Sequence, residues 1–406
     1  MQTVSPRRRP RRRASFAVLC VVMSMENVAA NMVHPVEPAF YIQLGLPAYT
    51  FGVAYAAMAL GLFLLSPFWG VLSDRVGRVP VLGVCAVIYG LAQLMFVMST
   101  TVATIVVARF VAGAFCAGCL TTGMAYVVDV TEPARTGRHM AAYGAMLNLT
   151  SAVGYLVGGV IGDGVPQRSF VAQFGLLALT GAVALLLLDE GPSFRRSEEP
   201  LSLARTNPLA AFAGMRRLMS PWMAAFLASA MAAQLASASF TNSFNFYLRD
   251  QFAFPPAYNG AIYALTGLLG FAANMTLGMK LQRARRVERP LVVVLALCAV
   301  VLGASLLATS MGAYLGVTVV FFVLNSMFLP LMQALVVGGD AGHGALSGAF
   351  QSTSSMGNVL GALAAGFIYA PAPRSPFVLS AVAFALSACS CAAALRIGRA
   401  EPGAHR

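Results

Sequence analysis

VPVLGVCAVIYGLAQLMFVM, residues 79–98, runs for twenty positions without one charged side chain. A helix of about 20 apolar residues covers the roughly 30 Å of hydrocarbon in a bilayer, so this stretch reads as a membrane-spanning helix. Its apolar positions are continuous rather than alternating, which is the pattern of a helix and not of a barrel strand. Outward from it, similar runs recur between short polar breaks: 15–36, 50–71, 102–127, 138–162, 169–188, 221–246, 257–279, 290–309, 312–336, 345–369 and 376–397. That makes twelve spans. Composition agrees, because 58% of the 406 residues are hydrophobic and only 10% are charged, a balance suited to lipid rather than water.

The longest polar stretch, 189–220, opens with DEGPSFRRSEEP and carries Pro192, Pro200 and Pro208 as breakers. It divides six spans from six, giving a basic tail at 1–14, one bundle at 15–188, a linker at 189–220, a second bundle at 221–397 and a tail at 398–406. Ser151, Gly154 and Gly158 recur 203 residues later as Ser354, Gly357 and Gly361, which fits a parallel duplication with a site between the halves. The expected fold is an all-α membrane protein of twelve transmembrane helices in two six-helix bundles.

A net charge of +13 invites a nucleic-acid reading, but the placement of the charge argues for topology. With both termini cytoplasmic, 23 of the 27 basic residues fall in the tails and loops on that side. They include Arg7, Arg8 and Arg9 in a retained tail, Arg75, Arg78, Arg135 and Arg138, and the cluster from Lys280 to Arg289. Arg168, Arg249 and Arg374 fall outside, and Arg109 lies within a span. This bias sets the orientation of a multi-pass protein of the plasma (inner) membrane, and its attraction to anionic headgroups follows from it. No nucleic-acid partner is implied. The seven cysteines all fall in spans, so no disulfide framework follows. Cys116 and Cys119, three apart without a histidine, read as packing residues. There is no phosphate-binding GxxxxGK[ST] loop, no HExxH and no GxSxG elbow, so neither a metal, a cofactor nor an enzyme activity is expected.

The most specific segment is Gly70-Val-Leu72-Ser-Asp74-Arg75-Val-Gly77-Arg78-Val-Pro-Val-Leu82, between spans two and three. Gly70 and Gly77 permit close helix approach and a tight turn. Asp74, Arg75 and Arg78 can form an ion-pair network at the membrane lip, as a latch or as a solvated loop. This GxLxDRxGRxxxL pattern resembles the signature loop of the major facilitator superfamily. Arg109-Phe-Val-Ala-Gly113 is similar to that family's RxxxG element. The stretch from Asp129 through Pro133, Arg135 and Arg138 to Gly144 resembles its loop between spans four and five. Pro35-Val-Glu37-Pro38 resembles the PxxP element of its twelve-span drug:proton antiporter branch, and Glu26, Asn31 and Pro35 keep the acidic-x4-Asn-x3-Pro spacing of antiporter first spans. Gly154-Tyr155-Leu-Val-Gly158-Gly159 departs from the branch's pattern, with Tyr155 in place of proline, so the kink a proline enforces is not built in.

The resemblance implies a secondary active transporter that works as a monomer by alternating access, with small-molecule substrate and protons as partners. Glu26 is the expected proton-coupling residue and a substrate contact. An ionised carboxylate at mid-span costs about 3 kcal/mol or more, so it should exchange its proton as the cavity changes access, unless Asn27 or Asn148 simply holds it structurally. Arg109 needs a partner when desolvated, either Glu26 or backbone carbonyls. Asp129, by resemblance, joins Asp74, Arg75 and Arg78 in a gate. The second half has no deep ionisable residue, and its polar handles Gln234, Tyr263, Asn325 and Gln351, with Asn148 of the first half, are the candidate substrate contacts. A cavity with one acid, amides and soft apolar walls of Phe and Met suits hydrophobic or amphiphilic molecules. The favoured activity is proton-coupled efflux of a drug or secreted metabolite. A facilitator or importer of a nutrient or organic acid, and a non-transporting sensor or scaffold, are the competing readings.

Overall fold

The structure, a computed structural model, describes residues 16–192, 194–197, 207, 220–282, 284, 286–308, 310–337 and 343–400. The basic tail at 1–14, most of the 198–219 stretch, and Arg205, Arg216, Arg217, Arg283, Arg285 and Arg406 lie outside the described residues.

The first span is broken. Helix α1 (Phe16–Met32) gives way at Val33–Val36 to a short α2 (Glu37–Gln43). Pro35 has no N–H to donate, and Pro38, in the first turn of α2, fits there because a helix start needs none. Next come α3 (Thr50–Val76), α4 (Arg78–Val97), α5 (Val102–Val130), α6 (Thr136–Ile161) and α7 (Gln167–Leu187). The second half comprises α8 (Pro221–Phe252), α9 (Pro256–Ala273), α10 (Met279–Gln282), α11 (Glu288–Leu307), α12 (Met311–Val337), α13 (His343–Tyr369) and α14 (Ser375–Ala400). One turn of π-helix, Asn274–Gly278, joins α9 to α10, and the Asn274 amide donates across to the Ser326 carbonyl at 3.0 Å. Among the described residues, eleven helical segments are long and apolar enough to cross a membrane. The twelfth, α13, is the same length as α3 but is crossed by Ser352, Thr353, Ser354, Ser355 and Asn358. It tolerates them by packing between α3 and α8, and Ser352, Thr353 and Ser354 are buried. Large apolar side chains stay exposed on outer faces, among them Leu186, Val300 and Phe367, as a lipid-solvated surface requires.

The duplication is present at the level of atoms. In the first half α6 lies on α1, and side chains added at Gly154 and Gly158 would strike the Val28 and Met32 carbonyls. In the second half α13 lies on α8, and side chains at Gly357 and Gly361 would strike the Met231 and Leu235 carbonyls. Each residue of the second set, partner included, lies 203 positions after its mate. Lipid offers no hydrophobic drive between helices, so backbones that touch through small residues supply the packing energy instead.

The halves meet at the end away from the Gly70–Arg78 loop. There Gly52 of α3 abuts Ala362 and Gly366 of α13, and Gly159 of α6 abuts Pro256 and Gly260 of α9. The Phe51 ring stacks on Phe246 with centroids 4.9 Å apart.

Candidate functional site

Just inside that seam lies a cavity of about 110 Å³, lined by His34 of the break, Glu37 and Tyr41 of α2, Phe51 and Tyr55 of α3, Tyr155 of α6, and Thr241, Asn242, Asn245, Phe246 and Tyr263 of α8 and α9. A second space of about 190 Å³ shares His34 and Tyr55 and extends to Met58, Leu62, Ser355 and Asn358. Tyr155 and Tyr263 face each other across the halves with ring centroids 5.1 Å apart, and the Tyr263 hydroxyl donates to the Thr241 carbonyl at 2.8 Å. Tyr155, which stands where the antiporter branch has proline, therefore leaves α6 unbroken through Ile161 and supplies a cavity ring.

The charge at the edge of this cavity is an ion pair between Arg109 of α5 and Glu37, the first residue of α2. Arg109 is 2% exposed; its guanidinium lies over the Phe96 ring, 4.2 Å from the centroid, and one nitrogen is 3.6 Å from the Met58 sulfur. The His34 Nδ1 is 3.6 Å from the same Glu37 oxygen. Arg109 was expected to pair with Glu26 or with backbone carbonyls, and this is corrected: Glu37 supplies the counter-charge. The break after Met32 folds the chain back into the bundle, so the carboxylate that follows the first apolar run lies inside. The Arg109 requirement for a counter-charge was the signal for it, and Glu37 was in the quoted PxxP element.

Glu26 lies elsewhere. It is fully buried in the first half, and neither carboxylate oxygen has a hydrogen-bond partner among the described residues. Tyr89, Cys116, Cys119 and Tyr143 are within its electrostatic reach. Asn27 does not hold it; that amide instead ties α1 to α6, donating to the Leu147 carbonyl at 2.6 Å and to the Thr150 and Ser151 hydroxyls at 2.8 and 2.9 Å. Asn148 does not either, since it is exposed and donates to Gly144 of its own helix at 3.1 Å. Of the six substrate contacts expected, Tyr263 lines the cavity, while Glu26, Asn148, Gln234, Asn325 and Gln351 do not. Gln234 is buried under Gly357, Gln351 is exposed, and the Asn325 side-chain oxygen is buried without a hydrogen-bond partner among the described residues. Sequence polarity marks such residues, but helix rotation decides which face the cavity receives.

At the opposite end, Asp74, Arg78 and Asp129 converge. Arg78 pairs with Asp74 at 2.5 Å and with Asp129 at 2.9 Å, and donates to the Ser73 hydroxyl at 2.6 Å. Arg75 points away and is exposed. Gly77 has φ +125°, a conformation side-chain-bearing residues avoid, and α4 starts directly after it. Glu190, at the head of the stretch read as linker, accepts from the Arg78 and Val79 amides at 3.1 and 3.0 Å, placing an anion on the positive end of α4. Phe194 lies 5.6 Å below the Arg78 guanidinium. Every group in this network comes from α3, α4, α5 or the chain just after α7. Gly113 meets the Met58 backbone, joining α5 to α3, whereas a side chain at Gly70 would find only ordinary contact with Thr121.

Comparisons with known proteins fit this geometry. The chain is 26% identical over 395 residues to the class C tetracycline resistance protein of Escherichia coli, covering 95% of this chain and 97% of that one. It is 24% identical over 371 residues to multidrug resistance protein 2 of Bacillus subtilis, with 90% and 91% covered. Among solved structures, a bacterial homolog of the human lysosomal transporter Spinster, in an inward-facing and unoccupied conformation, superimposes with a TM-score of 0.76 at 14% identity, over 96% of this chain and 98% of that one. The Major Facilitator Superfamily model matches residues 15–339, and this integral, multi-pass membrane protein belongs to that family.

Proposed function

We propose that this chain exports an amphiphilic, ring-bearing small molecule, neutral or cationic, in exchange for protons. The observation that carries the reading is the ion pair of half-buried Glu37 with buried Arg109 at the edge of an aromatic cavity between the two halves. The tetracycline and multidrug resistance relatives support it. Glu37 is the acid that faces the cavity. A cationic or neutral amphiphile can lie against Tyr55, Tyr155 and Tyr263, with Asn242 as a hydrogen-bonding partner, whereas an anion would face Glu37 with Arg109 already engaged behind it.

In this reading the seam lies at the outer face of an inner membrane, both termini are cytoplasmic, and the cavity is seen in its inward-facing state. The functional unit is a monomer whose bundles, 15–188 and 221–397, rock about the site on either side of the 189–220 linker. A proton reaching Glu37 removes the counter-charge of Arg109, and because a buried guanidinium cannot stay unpaired, the pair and its surroundings rearrange. Glu26 is a second, sealed proton site that opens later in the cycle. The Asp74–Arg78–Asp129 network and Glu190 hold the cytoplasmic gate helices of the first half together while the bundles rock. A membrane potential adds about 2.3 kcal/mol per charge moved per 100 mV.

The test is reconstitution into liposomes with an internal pH dye and a panel of aromatic cations, anions and neutral compounds. Proton movement evoked by a cationic or neutral amphiphile and lost in Glu37→Gln is the expected result. Substrate flux without proton movement would make the chain a facilitator and end the antiport reading.

A further inference from the structure

The break between α1 and α2 is held from both sides, and only one side is the Glu37–Arg109 pair. In a continuous helix the His34 carbonyl would accept from the amide four residues on, but residue 38 is proline and has no N–H. The Glu37 and Val36 amides both turn back to the Val33 carbonyl at 3.0 Å, and the Phe40 amide goes to Val36. The His34 carbonyl, left over, accepts a hydrogen bond from the side-chain amide of Asn245, which belongs to α8 in the other half. Asn245 is itself held: its side-chain oxygen accepts from the Asn259 amide of α9 at 3.1 Å, and Asn259 is 1% exposed. An orphaned backbone carbonyl at membrane depth is costly unless a neighbouring helix or water satisfies it.

We propose that Asn245 is a positioning residue of the transport cycle, a donor that clasps the orphan His34 carbonyl and so ties the carboxylate-bearing break to the second half while the outer seam is closed. Three observations carry the assignment. Pro38 creates the vacancy, Asn245 is the group that fills it, and Asn259 fixes the direction of the amide. The clasp lies on the seam where Gly159 meets Pro256 and Gly260, so opening that end must break it. Water entering from the outer side then takes over the carbonyl. The four residues from His34 to Glu37 thus answer to the first half through Arg109 and to the second through Asn245. Movement at the ion pair is thereby felt at the seam.

The assignment rests on alternating access as described above, but its test reads conformation and not transport, so the two can fail separately. A cysteine is placed at Ala257, on the seam beside Gly159, in a variant whose seven native cysteines are replaced. Its labelling by a membrane-impermeant maleimide added to the outer side is then followed. Asn245→Asp keeps size and can still accept from Asn259, but as a carboxylate it cannot donate to a carbonyl. It should raise the labelling rate several-fold. Pro38→Ala returns an N–H to the helix and makes the clasp redundant, so Asn245→Asp in that background should change labelling by less than twofold. If Asn245→Asp does not assemble, Asn259→Ala, which loosens the donor without removing it, should give a smaller rise that Pro38→Ala again abolishes. Labelling that ignores both substitutions, or that rises equally with and without Pro38, would overturn the clasp even if transport proves proton-coupled.

Discussion

The two halves share a backbone plan and divide the chemistry between them. Val28 and Met32 under Gly154 and Gly158 have the same relation as Met231 and Leu235 under Gly357 and Gly361. On that common frame the first half carries Glu26, Glu37 and Arg109 inside, with Asp74, Arg78 and Asp129 at its rim. The second half instead fills its interior with rings: Phe240 touches Phe244, Phe321, Phe322 and Phe377, with centroids from 4.4 to 5.7 Å apart. Buried charge costs several kcal/mol per ion unless paired, whereas rings in lipid cost nothing to bury. One half is therefore packed with rings, and the other concentrates the ionisable groups of the interior.

If the shared frame is real, its contacts should fail alike. Gly158→Leu and Gly361→Leu each drive a side chain into a backbone carbonyl of the partner helix that cannot yield. Both should prevent recovery of monodisperse protein in detergent, the largest effects expected. If one is tolerated and the other lethal, the two seams are not equivalent. The chemical division predicts a contrast instead. Arg109→Met leaves the half-buried Glu37 without its counter-charge and should cost up to about 3 kcal/mol in thermal unfolding while abolishing proton movement. Phe240→Ala should cost about 2 kcal/mol, a packing loss with no hydrophobic drive behind it, and should leave the proton-to-substrate ratio unchanged. A changed ratio would mean that the ring-filled half also takes part in coupling.

The comparison also explains what could be read from the sequence. Twelve apolar runs and a repeat of 203 residues were legible, because span length and close backbone approach impose their pattern directly on residue type. The charge cluster at the Gly70–Arg78 loop was legible in part: Asp74, Arg78 and Asp129 converge, but Arg75, in the same motif, is exposed, since neighbours on a helix point in different directions. Glu190 could not be foreseen, because a loop acid carries no periodicity to show where it folds back. Glu37 was hidden for a related reason. Two prolines at the end of an apolar run look like the end of a span, and only the fold shows that the chain re-enters as α2. Glu26 was conspicuous for its type and position, yet the cavity formed elsewhere, along the faces carrying Tyr55, Tyr155 and Tyr263.

The smallest effect is the sharpest test of the division, because it compares two residues at one position of the repeat. Glu26 lies 203 residues before Ser229, and both are fully buried. Ser229 has its needs met: its hydroxyl donates to the Ser387 carbonyl at 2.9 Å, and the Ser387 hydroxyl donates back to the Ser229 carbonyl at 2.8 Å. Glu26 has no such partner. A hydrogen bond between membrane helices contributes about 0.6 kcal/mol on average, so Ser229→Ala should lower stability in detergent by that order and leave proton-driven export intact. Glu26→Gln loses no hydrogen bond and should unfold at nearly the parent temperature, but proton-driven export should fall sharply because the second proton site is gone. Equal impairment of export by the two variants would show that the position is structural in both halves, and would leave Glu37 as the sole proton carrier.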